Sequence, residues 1–458
     1  MPSQRGPDPD VAVIGGGIGG LTAAVDLATH GFSVHLIEQK QHCGGRTYSF
    51  VDKETGDEVD NGQHLMMGCY HSTLKYLSTI GTLQDVTIQK KLSVVFRHEH
   101  RGAFRLQAAP LPAPLNVVAG MLRLKSLSLS QRLSLLRVGA AIASARPDAD
   151  ERLHSMTVTQ WLDALHQSPE NKKYLWNIIA IGTLNDSPDV VSAALFVKVL
   201  KSAFLGKGND SSMAIPIKGL SKIFVDEALE YLMDHRCAVR MNTQVERIVI
   251  ENKEATALVL QGGERIVPRA IVCSAPYYDL RTMFDDDGNE IFGGDLSGGL
   301  IASAIVTIHC WFDRRFMEED FVALLDSPVH WVFNKSAIFG KRRTPPYYLS
   351  LVISGASHLV EKDKGELTEM ALAGLRRFYP ESAGAKLVHS LVIKEKRATF
   401  SPRVGTHKFR PAHATSVKNL FLAGDWTDTK LPATIEGAAQ SGYACSELVR
   451  EYLKRKAQ

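Results

Sequence analysis

The chain has 458 residues but only six cysteines (43, 69, 237, 273, 310 and 445), none in C-x-x-C spacing. This excludes a disulfide framework and a zinc ribbon, and points to a reducing compartment. No uncharged apolar run approaches the roughly 18 to 20 residues that a membrane span requires. The first ten residues are polar and proline-containing, without the cationic-then-apolar order of a secretory leader. A cytoplasmic protein is therefore expected, soluble or peripheral on the inner face of the cell membrane. Charge is nearly balanced, with 53 basic against 49 acidic residues. A net +4 without a dense basic tract, finger or RNA-binding motif leaves no reason to expect a nucleic-acid partner. There is no H-E-x-x-H metal site, so no metal is expected, and no G-x-S-x-G nucleophile elbow. Repeats of fixed period and low-complexity tracts are absent too.

One absence is local. From Arg101 to Pro147 there is no Asp or Glu, while Arg101, Arg105, Arg123, Lys125, Arg132, Arg137 and Arg146 are interleaved with Leu, Val, Ile and Ala. Such a segment suits an anionic membrane surface. It suits equally an ordinary helical subdomain with a basic outer face.

What is present begins at Asp10–Ile14, an apolar run that reads as a buried parallel strand. Gly15, Gly17 and Gly20 then supply G-x-G-x-x-G, followed by a helical run from Leu21 to Thr29 and a stop at Gly31. Gly15 permits the tight turn, Gly17 the approach of a pyrophosphate, and Gly20 close packing of helix on strand. Ile18 and Gly19 lie in the same turn, where helix-start N–H groups favour negative charge. A second strand, Ser33–Ile37, ends at Glu38, whose carboxylate can accept both hydroxyls of an adenosine ribose. A 2′-phosphate would be repelled there, although Lys40 softens that exclusion. Gly44, Gly45 and Arg46 follow, two permissive glycines and a bidentate phosphate partner.

The string G-G-G-I-G-G-L-T-A-A, then Glu38, G-G-R, and Gly424–Asp425 near the other end, resembles the FAD-dependent amine oxidase and phytoene desaturase superfamily. D-N-G-Q-H at 60–64, L-N-D-S-P at 184–188 and D-W-T-D-T…L-P-A-T-I-E-G-A at 425–438 narrow the likeness to hydroxysqualene dehydroxylases. The resemblance covers nearly the whole chain. It implies FAD, with Gly15, Gly17, Ile18, Gly19 and Gly20 on the pyrophosphate, Glu38 on the ribose, and Gly44, Gly45 and Arg46 beside the phosphates. Val245 would pair with adenine through its main chain, unless it is simply strand core. Asp425 after Gly424 would take a ribityl hydroxyl or sit near the phosphate. Thr434 and Ile435 would offer N–H groups to the isoalloxazine edge, and Gly62, Gln63 and His64 would pass close to the ring. His64 is the one named candidate for proton donor; an ordinary structural histidine is the alternative.

The implied fold is α/β: a Rossmann-type FAD domain assembled from residues 1–75, 213–290 and 400–458, with an inserted α+β substrate domain from 76–212 and 291–399. Residues 76–212 read mainly as helices, including Trp161–Leu165 and Val190–Leu205. Residues 300–399 contain β-rich runs at Ile301–Phe312 and Tyr347–Ser354, then a helix from Leu367 to Phe378. Ser221 reads as the cap of a helix running to Met233, and Ala438, Ala439 and Gly442 as small residues permitting close helix packing. The implied reaction is reductive removal of the hydroxyl of hydroxysqualene by hydride from reduced flavin, with an unidentified external electron donor. A carotenoid-type desaturase is the main alternative. An amine oxidase lacks the expected aromatic pair, Trp426 being a single candidate, and a non-catalytic isoprenoid carrier is a further alternative.

Overall fold

The computed structural model describes residues 8–284, 288–294, 296–340 and 344–458, so the polar start at residues 1–7 falls outside it. Its centre is a parallel sheet of β1 (Val11–Ile14), β2 (Val34–Ile37), β3 (Ala238–Arg240), β4 (Ala270–Cys273) and β5 (Leu420–Leu422), ordered β3-β2-β1-β4-β5. All four residues of β1 are buried, as a parallel sheet covered on both faces demands. Alternate side chains go to opposite sides. Val11, Val13, Val34 and Leu36 pack under helix α1 (Ile18–Thr29) and the C-terminal helix Ile435–Lys456. Ala12, Ile14 and Ile37 pack instead against the antiparallel strands Val245–Glu251 and Glu254–Leu260.

α1 begins at Ile18, three residues before the expected start, because the glycine turn itself enters the helix. It packs tightly on the C-terminal helix: a Cβ on Gly442 would sit 2.5 Å from the Gly19 carbonyl oxygen. Ser221 does not cap a helix. The helix there already includes Leu220, and the Ser221 hydroxyl instead accepts the Ser49 N–H at 2.8 Å. The downstream helix, Glu227–Asp234, follows an intervening wider turn over Lys222–Asp226.

The expectation of a mainly helical 76–212 segment misses its strands, the short Val86–Ile88 and a hairpin. Ser93–His98 and Gly102–Gln107 form an antiparallel hairpin, and the first strand pairs parallel with Phe321–Leu324, Ala323 opposite Phe96. This pairing joins the two inserted regions in one seven-stranded sheet. Its order is Leu387–Phe400, Ala302–Phe312, Tyr347–Ser354, Trp331–Asn334, Phe321–Leu324, Ser93–His98 and Gly102–Gln107. Helices α2 (Leu115–Leu122), α3 (Leu129–Ser144) and α4 (Ala193–Phe204) pack with the hairpin's apolar side in a second core. Lys364–Phe378 is the expected helix after the β-rich region.

Candidate active site

A cavity of about 690 Å³ reaches from the carboxyl ends of the parallel strands into the second core. At one end it is lined by Gly15, Gly17, Ile18, Gly19, Glu38, Gly44, Gly45, Arg46, Val245, Gly424, Asp425, Thr434 and Ile435. Ligands bind at this edge of open α/β sheets because the helix N-termini and loops converge there. Gly20 is not in the wall. A Cβ on it would fall 2.0 Å from the Gly15 carbonyl oxygen, so a glycine is needed there for helix to pack on strand. Gly15 adopts φ +95°, closed to most side chains, whereas a Cβ on Gly17 would meet nothing within 4 Å.

The distant segments meet through their backbones. The Gly44 N–H donates to the Gly16 carbonyl at 2.7 Å, and a Cβ on Gly19 would lie 3.1 Å from the Gly424 nitrogen. α1 has no side-chain cap, so its first-turn N–H groups lack both intrahelical and capping partners. The Glu38 carboxylate accepts the Gly16 N–H at 2.7 Å and the Lys40 N–H at 2.8 Å. Those two bonds leave lone pairs for ribose hydroxyls. Val245 opens its strand, paired with Leu260 and 4% exposed. Thr434 caps the C-terminal helix, its hydroxyl accepting the Gly437 N–H at 3.1 Å, so that helix also starts at the cavity wall. Glycine cradle, carboxylate and two helix starts together fit a dinucleotide.

Arg46 and Asp425, assigned separate contacts above, pair with each other. The guanidinium donates to both carboxylate oxygens, at 2.7 and 2.8 Å, and to the Ala398 carbonyl at 2.6 Å. Burial opposes the arginine's charge, but Asp425 outweighs it and holds the guanidinium above its ordinary value. Arg410 carried no signal in the sequence, sitting in an unremarkable F-R-P string. It is 6% exposed and staples the 424–432 loop, donating to the carbonyls of Leu431 (2.7 Å), Asp425 (3.0 Å) and Thr427, and to the Thr429 hydroxyl (2.9 Å).

The D-N-G-Q-H string is a buried polar floor. Asp60 accepts from the Lys335 ammonium at 2.7 Å, from the Leu220 N–H at 3.0 Å and from the Ser49 hydroxyl at 2.7 Å. Lys335, 1% exposed, also donates to the Gln63 amide oxygen at 3.0 Å. Asn61 reaches the Arg46 carbonyl at 3.2 Å and Glu395 at 3.3 Å. Gly62, Gln63 and His64 stand in the cavity wall. Burial takes His64 down to about 4, so its ring is neutral at physiological pH and has one N–H to donate.

Beyond this floor the wall turns apolar, with Leu92, Val94, Phe96, Leu200, Trp331 and Phe333 among its residues. Two polar side chains nearby are already engaged. Asn185 of L-N-D-S-P bonds the Thr399 hydroxyl (2.9 Å) and the Gly355 N–H (2.8 Å), and the Thr183 hydroxyl bonds the Ile179 carbonyl (2.8 Å). Trp426 lies in the wall with Tyr277, ring centroids 6.5 Å apart and tilted by 58°, not stacked. Among the described residues, no group of three or more His, Cys, Asp or Glu is placed to hold a metal.

Residues 18–450 match the flavin containing amine oxidoreductase family. The chain belongs to it. It is an FAD-dependent oxidoreductase. It is 28% identical over 444 residues to a hydroxysqualene dehydroxylase of Rhodopseudomonas palustris, covering 96% of this chain and 98% of that one. It is 25% identical over 460 residues to a chloroplastic/chromoplastic 15-cis-phytoene desaturase of Narcissus pseudonarcissus, covering 97% and 80%. The solved structure of putrescine oxidase bound to putrescine superposes with a TM-score of 0.72 over 98% of this chain and 99% of that one. At 17% identity this last likeness speaks to the fold alone.

Proposed function

We propose that the protein reductively removes the hydroxyl of hydroxysqualene to give squalene. The observation that carries this reading is the single cavity: a dinucleotide end opening, across one polar floor, into an apolar chamber. A long hydrocarbon with one hydroxyl matches that division, hydrocarbon against Leu200 and Phe333, oxygen toward Gln63 and His64. The near-full-length similarity to hydroxysqualene dehydroxylases supports the same substrate class.

In this reading Gly15, Gly17, Ile18 and Gly19 receive the pyrophosphate, Glu38 the adenosine ribose, and the Val245 main chain the adenine. Gly44 and Gly45 let the backbone approach the phosphates. Arg46 acts through Asp425, holding that carboxylate for a ribityl hydroxyl, and the helix start at Thr434 and Ile435 offers N–H groups to the ring edge. Bound in its reduced form, FAD supplies the hydride. The allylic C–O bond breaks, a C–H bond forms at that carbon, and the oxygen leaves as water, taking up the proton that two-electron oxidation of the reduced flavin would release alongside the hydride. The residues here orient and solvate. His64 donates a hydrogen bond to the departing oxygen, Lys335 holds Gln63 in register, and the apolar chamber excludes competing water. An external reductant must restore the flavin.

The test is anaerobic: photoreduced protein with hydroxysqualene, and oxidised protein with phytoene. Squalene from the first and no product from the second is the expected outcome. Desaturated product from the second alone would establish the opposite direction of hydride transfer.

A further inference from the structure

We infer that the α2–α3 face docks on an anionic lipid bilayer, and that the lipid-borne substrate enters the cavity past Phe204. The second half rests on the apolar substrate proposed above; the first does not. On α3, Leu129, Leu133 and Leu136 are 69%, 51% and 42% exposed, and Ala140 and Ala143 continue them at the same helical spacing. The result is an apolar stripe along the whole outer face of the helix. Leu115 on α2 and Leu111 just before it, 57% and 47% exposed, add to it. Five leucines or small apolar residues on one solvent-facing stripe are unusual for a helix whose opposite side (Leu135, Val138, Ile142) already fills the core.

Charge decides the occupant. Arg123 and Lys125, in the connection from α2 to α3, and Arg137, flanking the stripe, are exposed and carry no salt bridge among the described residues. No acidic residue lies between 101 and 147. A second copy of this chain would bring the same cations face to face. An anionic bilayer accepts both features: leucines into the acyl boundary, cations at the headgroups.

The same helices frame a route inward. A small apolar notch of about 50 Å³ lies between them, lined by Val117, Val118, Met121, Leu136, Gly139 and Phe204. Leu136 belongs to both the exposed stripe and the notch, and Phe204, at the end of α4, belongs to both the notch and the main cavity. Phe204 thus lies where the notch and the chamber come nearest in their linings, and in this proposal its ring is the point of passage between them.

Co-sedimentation of the FAD-loaded protein with phosphatidylglycerol/phosphatidylcholine vesicles, against pure phosphatidylcholine, tests the docking. Anionic vesicles should retain the protein and neutral ones should not. Each of Arg123→Gln, Lys125→Gln and Arg137→Gln should weaken partitioning about fivefold, and all three together roughly a hundredfold. Leu129→Ser/Leu133→Ser should weaken it too, with flavin content unchanged as the check on folding. Equal recovery on both vesicle types, or indifference to both sets of variants, overturns the docking. So does a dimer in sedimentation velocity that the leucine variant converts to monomer while vesicle binding persists. Gly139 lines the notch and a Cβ on it would meet nothing within 4 Å, so Gly139→Leu is the variant chosen to narrow it. It should leave vesicle binding intact and slow turnover of vesicle-borne substrate at least tenfold; wild-type turnover overturns the route. Vesicle partitioning reads out even if hydroxysqualene proves not to be the substrate.

Discussion

Replacing Lys335 by methionine keeps the side-chain length and removes the charge facing Asp60. The two groups are 1% and 2% exposed and 2.7 Å apart. At an effective dielectric constant near 20, their attraction is about 6 kcal/mol, part of which offsets the cost of taking both charges out of water. Deleting one partner strands the other, so the expected net loss is about 3–5 kcal/mol, a fall in unfolding temperature of roughly 3–5 °C for a chain of this size. The pH dependence separates this cause from a packing defect. In the wild type, burial pushes the Asp60 carboxyl up, but Lys335 and the Leu220 and Ser49 hydrogen bonds outweigh it and hold it below its ordinary value. That stabilisation is complete above the unfolded carboxyl value and lost as pH falls through the lower, folded one. Without Lys335, burial loses its main opponent and the folded carboxyl rises. Protonation then relieves the stranded charge, so the variant's deficit should shrink between about pH 8 and about pH 5. Urea unfolding followed by circular dichroism at both pH values measures it, with Asp60→Asn/Lys335→Met as the neutral pair, expected to recover part of the loss. A deficit below about 1 kcal/mol, or one equal at both pH values, would refute the reasoning.

Two glycines three positions apart, Gly17 and Gly20, should separate cleanly by role. Gly20→Ala forces a methyl into the Gly15 carbonyl and should cost about 1–3 kcal/mol of stability or more. Gly17→Ala, at φ −73° with open space ahead of it, should fold normally yet bind FAD roughly tenfold more weakly, because the methyl occupies the phosphate approach. Unfolding temperature and the flavin-to-protein absorbance ratio distinguish them, and wild-type FAD affinity in Gly17→Ala would contradict the assignment. For His64, a value of about 4 means that turnover should show no inflection from this ring across the neutral range. His64→Gln, with FAD retained, should lower the rate without changing the shape of the pH profile. A wild-type inflection near an ordinary histidine's pKa of about 6.5, absent from the variant, would show an imidazolium acid instead.

The elements legible in the sequence are those whose pattern is local. β1, the glycine turn and α1 form one uninterrupted strand–turn–helix unit, and the small residues of the C-terminal helix mark where it meets α1, at Gly19 and Gly442. The Ser93–Gln107 hairpin was not legible in this way. Its strands are six residues each, and the strand that secures them, Phe321–Leu324, lies more than two hundred residues downstream. Ser221 misleads for the same reason: a serine before an apolar helical run reads as a cap, but Ser49, brought alongside by the fold, claims its hydroxyl.

At the site, spacing identifies residues whose backbone lines the dinucleotide end and fails for those whose charge is spent on the protein. Glycine turns advertise themselves because few other residues tolerate φ +95° or a 2.0 Å approach. Arg410 and Lys335 look like solvated surface cations in one dimension, since their acceptors at 425–431 and at Asp60 are supplied by loops that only folding brings near. The Arg46–Asp425 pair shows the intermediate case. Both residues stand out in the sequence, yet each reads as a direct ligand contact, because their mutual 2.7 Å contact spans 379 positions. The D-N-G-Q-H string is thus better understood as the floor that holds Gln63 and His64 in place, with Asp60 anchored to Lys335 beneath the cavity that Asn61, Gly62, Gln63 and His64 line.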